Sequence, residues 1–412
     1  MTDEITQTDQ SAPSKGSWFA LITTAIAAFV LVTSEFLPIG LINEIAKELG
    51  ISIGTAGLMI TLPGIMAAIA AAFLPIFAKS LDRRYLLIIL TITMIIANTI
   101  TAISANFTIL LLSRFILGFA IGGFWGTAIA LSDKLAPAHL HISTATATIM
   151  SGITLAAILG VPIGTWLSNF YGWRNAFVIT AVLGVFALIF EVLSLPSLKP
   201  KSSLKFKELP TLFKVPKARQ GMCIIFLMGF AHFAAYSYMT PFFKNVAKFD
   251  TTQISLLLLI YGIAGFLGNA FAGYSGNINV RYTFVFLAAC YAIVFFGFPN
   301  FATEIYAALL LTGLWGFAFG AFPTTANVWM FVHAPDAVEK GFPLFVATFQ
   351  IMIATGALFG GYIIDHFNAN ILLYSVISFI FLALLSIFTI SRGLNNPKTE
   401  TINLCCENSG SS

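Results

Sequence analysis

Charge is what this sequence has least of. Only 9% of its 412 residues are Asp, Glu, Lys or Arg, against about 25% in a soluble domain, which excludes a chain that faces water on all sides. Cysteine is scarce too. Cys223 and Cys290 sit in apolar segments, and Cys405 and Cys406 sit in a polar tail expected on the reducing cytosolic side. No disulfide framework arises from them, and the tail pair is expected to bind no metal. The dipeptide Gly-Lys does not occur, which excludes a Walker A loop for nucleotide phosphates. No apolar segment holds His or Cys at paired metal-ligand spacing, and no Gly-x-Ser-x-Gly turn precedes a helix. The chain therefore reads as no enzyme, with no cofactor and no metal. Its net charge is +4, yet the basic residues follow loops instead of gathering on one soluble face, which argues against a nucleic-acid partner. The first 16 residues are polar and lean acidic, without the basic start and cleavage site of a signal peptide, so the N-terminus is expected to stay in the mature protein.

What the chain has in abundance is apolar length. A bilayer-spanning helix needs roughly 20 mostly apolar residues. Twelve such segments are expected, at 17–42, 52–78, 85–105, 107–132, 141–168, 173–195, 218–243, 252–273, 281–299, 304–330, 340–365 and 370–391. With the N-terminus inside, 16 Lys and Arg fall in cytosolic parts and only Lys47, Arg174, Lys244 and Lys248 fall in outer loops, an asymmetry that predicts cytosolic termini. The organisation expected is a tail at 1–16, a six-helix bundle at 17–195, a basic cytosolic linker at 196–217, a second six-helix bundle at 218–391 and a tail at 392–412.

The halves also repeat. "GFAIGGF" at 118–124 returns as "GFAFGAF" at 316–322, 198 positions on, and "GVPIGTW" at 160–166 returns as "GALFGGY" at 356–362, 196 positions on. Parallel repeats of this kind place a substrate site at the bilayer midplane between the halves.

Inside the first span, "LVTSEFLPIG" puts Glu35 where no charge belongs, and Arg114 is expected at matching depth in the fourth. An ionised group at such depth costs several kcal/mol unless it meets a cavity or partner. Either the two form a buried ion pair that holds spans 1 and 4 together, or Glu35 exchanges a proton with Arg114 as its switchable partner. Arg114, Gly118, Gly122 and Trp125 recur at helical spacing and share a face. In span 7, "GFAHFAAYSYMTPF" places His232 near midplane with Tyr236 one turn on. Asn269, Asn327 and Gln350 add neutral donors and acceptors, with Trp315 nearby in sequence; each is a substrate contact or interhelical glue. Glu191 is a weaker candidate, expected to reach water near the cytosolic end of span 6.

These residues resemble the major facilitator superfamily, in its drug and metabolite proton antiporter branch, over almost all of 17–392. "KSLDRRYLL" is similar to that branch's loop after span 2, keeping Asp82, Arg83 and Arg84 and lacking both of its glycines. "LLLSRFILGFAIGG" matches the pattern that gives Arg114 a proton-coupling role, and "ILGVPIGTWLSNFYGWRNAF" resembles the antiporter signature, with Gly160, Pro162 and Gly164. Gly164 and its repeat Gly360, with Gly356, are expected to let helices of opposite halves meet. "SEFLPIGLI", "LGFAIGGFWG", "GWRNAF", "SLPSL" and "GALFGGYIIDH" are similar to bacterial purine ribonucleoside efflux pumps, with sugar efflux transporters as near relatives. The resemblance implies an all-α fold of twelve transmembrane helices in the bacterial inner membrane, acting as a monomer on protons and a small neutral substrate, above all a purine nucleoside. Sugar or multidrug efflux is the alternative within transport, and a non-transporting membrane sensor the alternative outside it.

Overall fold

The computed structural model describes residues 17–78, 81–128, 132–137, 140, 142–197 and 209–389. Both tails, with Cys405 and Cys406, and most of the linker lie outside the described residues. Among the described residues, twelve helices are long and apolar enough to cross a membrane: α1 (Trp18–Leu49), α2 (Ile53–Phe77), α3 (Arg83–Ile103), α4 (Phe107–Ala128), α5 (Thr144–Tyr171), α6 (Trp173–Ser194), α7 (Pro216–Tyr236), α8 (Thr251–Gly276), α9 (Ile278–Phe301), α10 (Ile305–His333), α11 (Gly341–His366) and α12 (Ala369–Thr389). They form two six-helix bundles. Successive helices alternate in direction, so α1 begins and α12 ends on one face, called the terminal face below; the opposite one is the distal face.

The ends of these helices follow local chemistry. Ser17 Oγ caps α1 by accepting from the Ala20 N–H at 3.1 Å, and α1 stops at Gly50, whose φ of +63° suits a residue without a Cβ. Asp250 and Gln253 form a capping box at α8. The chain kinks between α8 and α9 at Asn279, near the start of α9, whose φ of −160° and ψ of 99° are non-helical, and its Oδ1 accepts from the N–H groups of Arg281 and Tyr282. Two expected spans end elsewhere. The α1 helix runs seven residues past 42, through Glu44, Lys47 and Glu48, because hydropathy marks where apolar surface stops and not where backbone hydrogen bonding stops. Helix α7 ends at Tyr236; the chain then takes a short turn at Met239–Pro241 and a π-helical turn at Phe242–Val246, Pro241 having no N–H to continue the ladder.

Packing within the bundles follows the sequence repeat. Gly118 and Gly122 of α4 sit so close to the carbonyls of Pro63 and Ala67 on α2 that no Cβ would fit, and Gly316 and Gly320 of α10 sit as closely against the carbonyls of Tyr261 and Gly265 on α8. All four pairs are related by the same 198 positions. The α5 glycines, Gly160 and Gly164, pack on Thr33 and Leu37 of α1, and Gly356 and Gly360 of α11 pack on Phe230 and Ala234 of α7. Both pairs thus serve packing inside their own bundle, not the meeting of opposite halves that their repetition suggested. Glycine marks a close approach, and sequence alone does not say to which helix.

The bundles meet through a different glycine pair. A Cβ on Gly64 of α2 would stand 3.0 Å from the Ala354 Cβ of α11, and one on Gly262 of α8 would stand 2.5 Å from the Ile158 Cα of α5. These contacts too are related by the repeat. The core of the second bundle takes in Ile39, Ile42, Ala46, Ala56, Ile60 and Val161, all from the distal halves of first-bundle helices. The terminal half of the first bundle has a core of its own, drawn from residues 20–195. On the distal face the halves are tied by polar bonds as well. Asp365 at the end of α11 accepts from Ser52 Oγ at 2.5 Å and from the Gly54 N–H at 2.8 Å, and Lys244 pairs with Glu44 at 2.6 Å.

Candidate functional site

The stretch Ser34-Glu35-Phe36-Leu37-Pro38 builds the centre of the molecule. Pro38 has no N–H, so the Ser34 carbonyl loses its helical donor. Arg114 supplies the replacement, donating from Nη1 at 2.9 Å. Its guanidinium also lies over the Phe177 ring at 4.5 Å, and its Nε and Nη2 have no partner. The Ser34 hydroxyl accepts from Asn98 Nδ2 of α3 at 2.8 Å and donates to the Val30 carbonyl at 2.9 Å. Glu35 and Arg114 lie at one depth but form no ion pair; among the described residues the ion pairs are Arg174 with Glu48 and Lys244 with Glu44. The proline gives the arginine a neutral acceptor on the first bundle's side. Glu35 and Gln350 are both buried, and Gln350 Oε1 has no partner.

One residue further on, Phe36 carries the seam into a set of aromatic rings. It stacks on Phe233 of α7 at 6.0 Å between centroids and meets Tyr236 edge-on at 6.3 Å. Phe36 and Phe233 are 197 positions apart, as are Glu35 and His232, and the matching contacts of Leu37 and Ala234 put α1 and α7 in that register. The stacked pair therefore sits on the pseudo-two-fold axis, with Glu35 and His232 as related residues beside it.

His232 is fully buried. Its Nδ1 accepts from Trp315 Nε1 at 3.0 Å, and an indole N–H only donates, so Nδ1 carries no proton and the neutral ring carries its own on Nε2. That nitrogen lies 3.4 Å from Tyr261 Oη. Phe319 stacks on the imidazole at 3.9 Å and Tyr236 at 5.2 Å, while Tyr236 and Tyr261 stack on each other at 5.0 Å. Two buried hydroxyls, Tyr291 Oη and Thr312 Oγ1, have no partner.

The other candidates lie apart. Trp125 is half-buried and eleven residues along α4 from Arg114, about 16 Å toward the terminal face at 1.5 Å per residue. Asn269 is exposed and bonded to Thr324. Asn327 donates to the Pro323 carbonyl of its own helix at 2.9 Å. Both asparagines are eight residues, about 12 Å, from the rings around His232 on their helices. Glu191 does not reach water: it is fully buried, and neither carboxylate oxygen has a hydrogen-bond partner.

The profile of the Major Facilitator Superfamily matches residues 24–342. The chain belongs to the Major Facilitator Superfamily. It is 32% identical over 355 residues to a protein named purine ribonucleoside efflux pump NepI from Salmonella paratyphi B (strain ATCC BAA-1250 / SPB7), covering 86% of this chain and 89% of that one. The NepI of Salmonella typhimurium (strain LT2) matches at the same identity and coverage. Among solved structures, a bacterial homologue of the human lysosomal transporter Spinster, inward-facing and unoccupied, superposes with a TM-score of 0.72 at 14% identity over 92% of this chain and 98% of that one. The nucleoside transporter NupG superposes with a TM-score of 0.72 at 16% identity over 90% and 99%. These likenesses fix the fold, that of a multi-pass membrane transporter and not of an enzyme.

The superfamily loop between α2 and α3 is bound within the first bundle. Asp82 caps α3, accepting from the Arg84 N–H at 2.9 Å, and accepts from Ser197 Oγ at 2.5 Å. Arg83 donates to the Ala78 carbonyl at 3.0 Å and Arg84 to the Val192 carbonyl at 2.7 Å. Pro162 follows a π-helical turn at Ala156–Gly160 in α5, which is where Gly262 of the other bundle comes to rest. Sequence reading missed Ser34, Phe36, Asn98, Phe233, Tyr261, Tyr291 and Phe319. An offset of 197, between the repeat offsets of 196 and 198, carries Phe36 onto Phe233.

Proposed function

We propose that this protein is a proton-coupled secondary transporter that exports a purine nucleoside by alternating access, with its termini in the cytosol. The observation that carries the reading is the meeting, at the axis between the bundles, of one carboxylate with a neutral aromatic site. Glu35 can take and release a proton there, while stacked rings and unpartnered hydroxyls suit a flat base bearing polar groups. The likeness to purine ribonucleoside efflux pumps supports the same substrate. The joined distal halves and separate terminal cores support a conformation open toward the terminal face, which the distribution of Lys and Arg assigns to the cytosol.

The test is flux in proteoliposomes. The purified protein should concentrate labelled inosine against its gradient when a pH gradient is imposed, and Glu35→Gln should lose that accumulation while keeping exchange at equal pH. Equilibration without accumulation would indicate a channel, and no flux at all a sensor. Accumulation of sugars or lipophilic cations in place of inosine would replace the substrate assignment.

A further inference from the structure

We infer that Tyr261 is a specificity-determining residue: its hydroxyl donates to an acceptor atom on the substrate's base, and the Trp315–His232 pair fixes that direction. The inference deepens the proposed function and rests on it. Two hydrogen bonds, read in order, carry it. An indole N–H can only donate, so Trp315 Nε1, 3.0 Å from His232 Nδ1, makes that nitrogen an acceptor. The neutral imidazole then holds its hydrogen on Nε2, which lies 3.4 Å from Tyr261 Oη, and the tyrosine oxygen accepts. The reverse arrangement, with Tyr261 donating to Nε2, would need the imidazole hydrogen on Nδ1, where it would face the indole N–H. A hydroxyl whose oxygen accepts still has its own hydrogen to place. Among the described residues no acceptor takes it, and the other spare hydroxyls of the cluster, Tyr291 Oη and Thr312 Oγ1, have no partner.

The surroundings suit a flat ligand at this hydroxyl. Where the rings of His232, Tyr236, Tyr261 and Phe319 meet, they lie within 24° of parallel, and Tyr236 reaches Phe36 at the seam. Trp315 stands across them at 72–89°. A base that enters at the seam can join the parallel rings, and the Tyr261 hydrogen then discriminates between bases by the acceptor each presents. An analogue without that acceptor leaves a buried donor unpaired, so the site rejects it. Trp315 is 1% exposed and acts on the substrate only through His232, as a positioning residue.

The experiment measures binding to purified protein by inosine and by three analogues that each lack one acceptor of its base: nebularine (no oxygen on C6), 7-deazainosine and 3-deazainosine. The wild type should bind one of the three about fivefold more weakly than inosine, the worth of one neutral hydrogen bond. Tyr261→Phe should bind inosine weaker by the same factor and should no longer distinguish it from that analogue. A tyrosine that only packs would weaken all four ligands alike, or none. His232→Gln can accept from Trp315 through Oε1 and donate toward Tyr261 through Nε2, so it should keep the wild-type discrimination; His232→Leu can do neither and should lose it. Where His232→Leu does not fold, Tyr261→Phe and His232→Gln decide. Discrimination that is missing from the wild type, survives in Tyr261→Phe or in folded His232→Leu, or is lost in His232→Gln would overturn the inference and leave the function standing. A wild type that binds none of the four would overturn both.

Discussion

At the scale of single residues, the central finding is that a proline decides what an arginine does. Charge spacing suggested a Glu35 and Arg114 pair, but spacing along two helices cannot show that Pro38 leaves a backbone carbonyl open beside the carboxylate. A double substitution tests this. Arg114→Met should lower thermal stability in detergent by about 1–3 kcal/mol, the usual cost of stranding a buried polar group. Adding Pro38→Ala restores a helical N–H to Ser34 and should recover much of that loss. If Pro38→Ala lowers stability further in the Arg114→Met background, the carbonyl is not what holds the arginine. His232 was legible as a polar residue in an apolar helix; its partners Tyr261 and Trp315 were not, because they come from other helices, 29 and 83 residues along the chain.

At the scale of helices, the glycines divide into two classes that look alike in sequence. Gly360 packs against the Ala234 carbonyl inside its bundle, and Gly262 packs against the Ile158 backbone of the other bundle. Gly360→Ala should cost about 1–3 kcal/mol of stability through overpacking and leave the seam unchanged. Gly262→Ala should leave each bundle stable and pry the distal seam apart. A cysteine introduced at Phe36, with Cys223 and Cys290 replaced by Ser, would report it: an impermeant thiol reagent applied from the distal side should label the Gly262→Ala protein faster than its parent. Equal labelling rates would make Gly262 an ordinary packing glycine. Helix existence and order were readable from apolar length, and the pairing of α4 on α2 and of α10 on α8 was implicit in the repeat. The end of α1 was not, since a helix continues into water wherever its own hydrogen bonds continue.

At the scale of the whole molecule, the two bundles share a core in their distal halves, and Asp365 ties that closure at the rim. It accepts two hydrogen bonds from the start of α2, where a helix N-terminus favours a carboxylate. Hydrogen bonds to charged groups are worth about 1.5–3 kcal/mol each, enough to shift a two-state balance about tenfold or more. Spin labels at Lys47 and Lys248, on distal segments of opposite bundles, should therefore show a larger long-distance population in Asp365→Ala than in the parent. An unchanged distance distribution would mean that the shared core alone keeps the face shut.

Sequence by itself determined what depends on neighbours along the chain: twelve apolar helices, the duplicated halves, the superfamily, and which polar residues sit at depth. Hydropathy and helical period are local quantities, and each of these follows from counting within a window or comparing two windows. Tertiary structure alone decided the rest, namely that Arg114 serves a backbone carbonyl, that Gly164 and Gly360 face inward to their own bundles while Gly64 and Gly262 face across, and that Phe36 stacks on Phe233. Those are contacts between groups brought within bonding distance only when two bundles pack, and the energy that selects them is shared across a whole interface instead of residing in any one stretch.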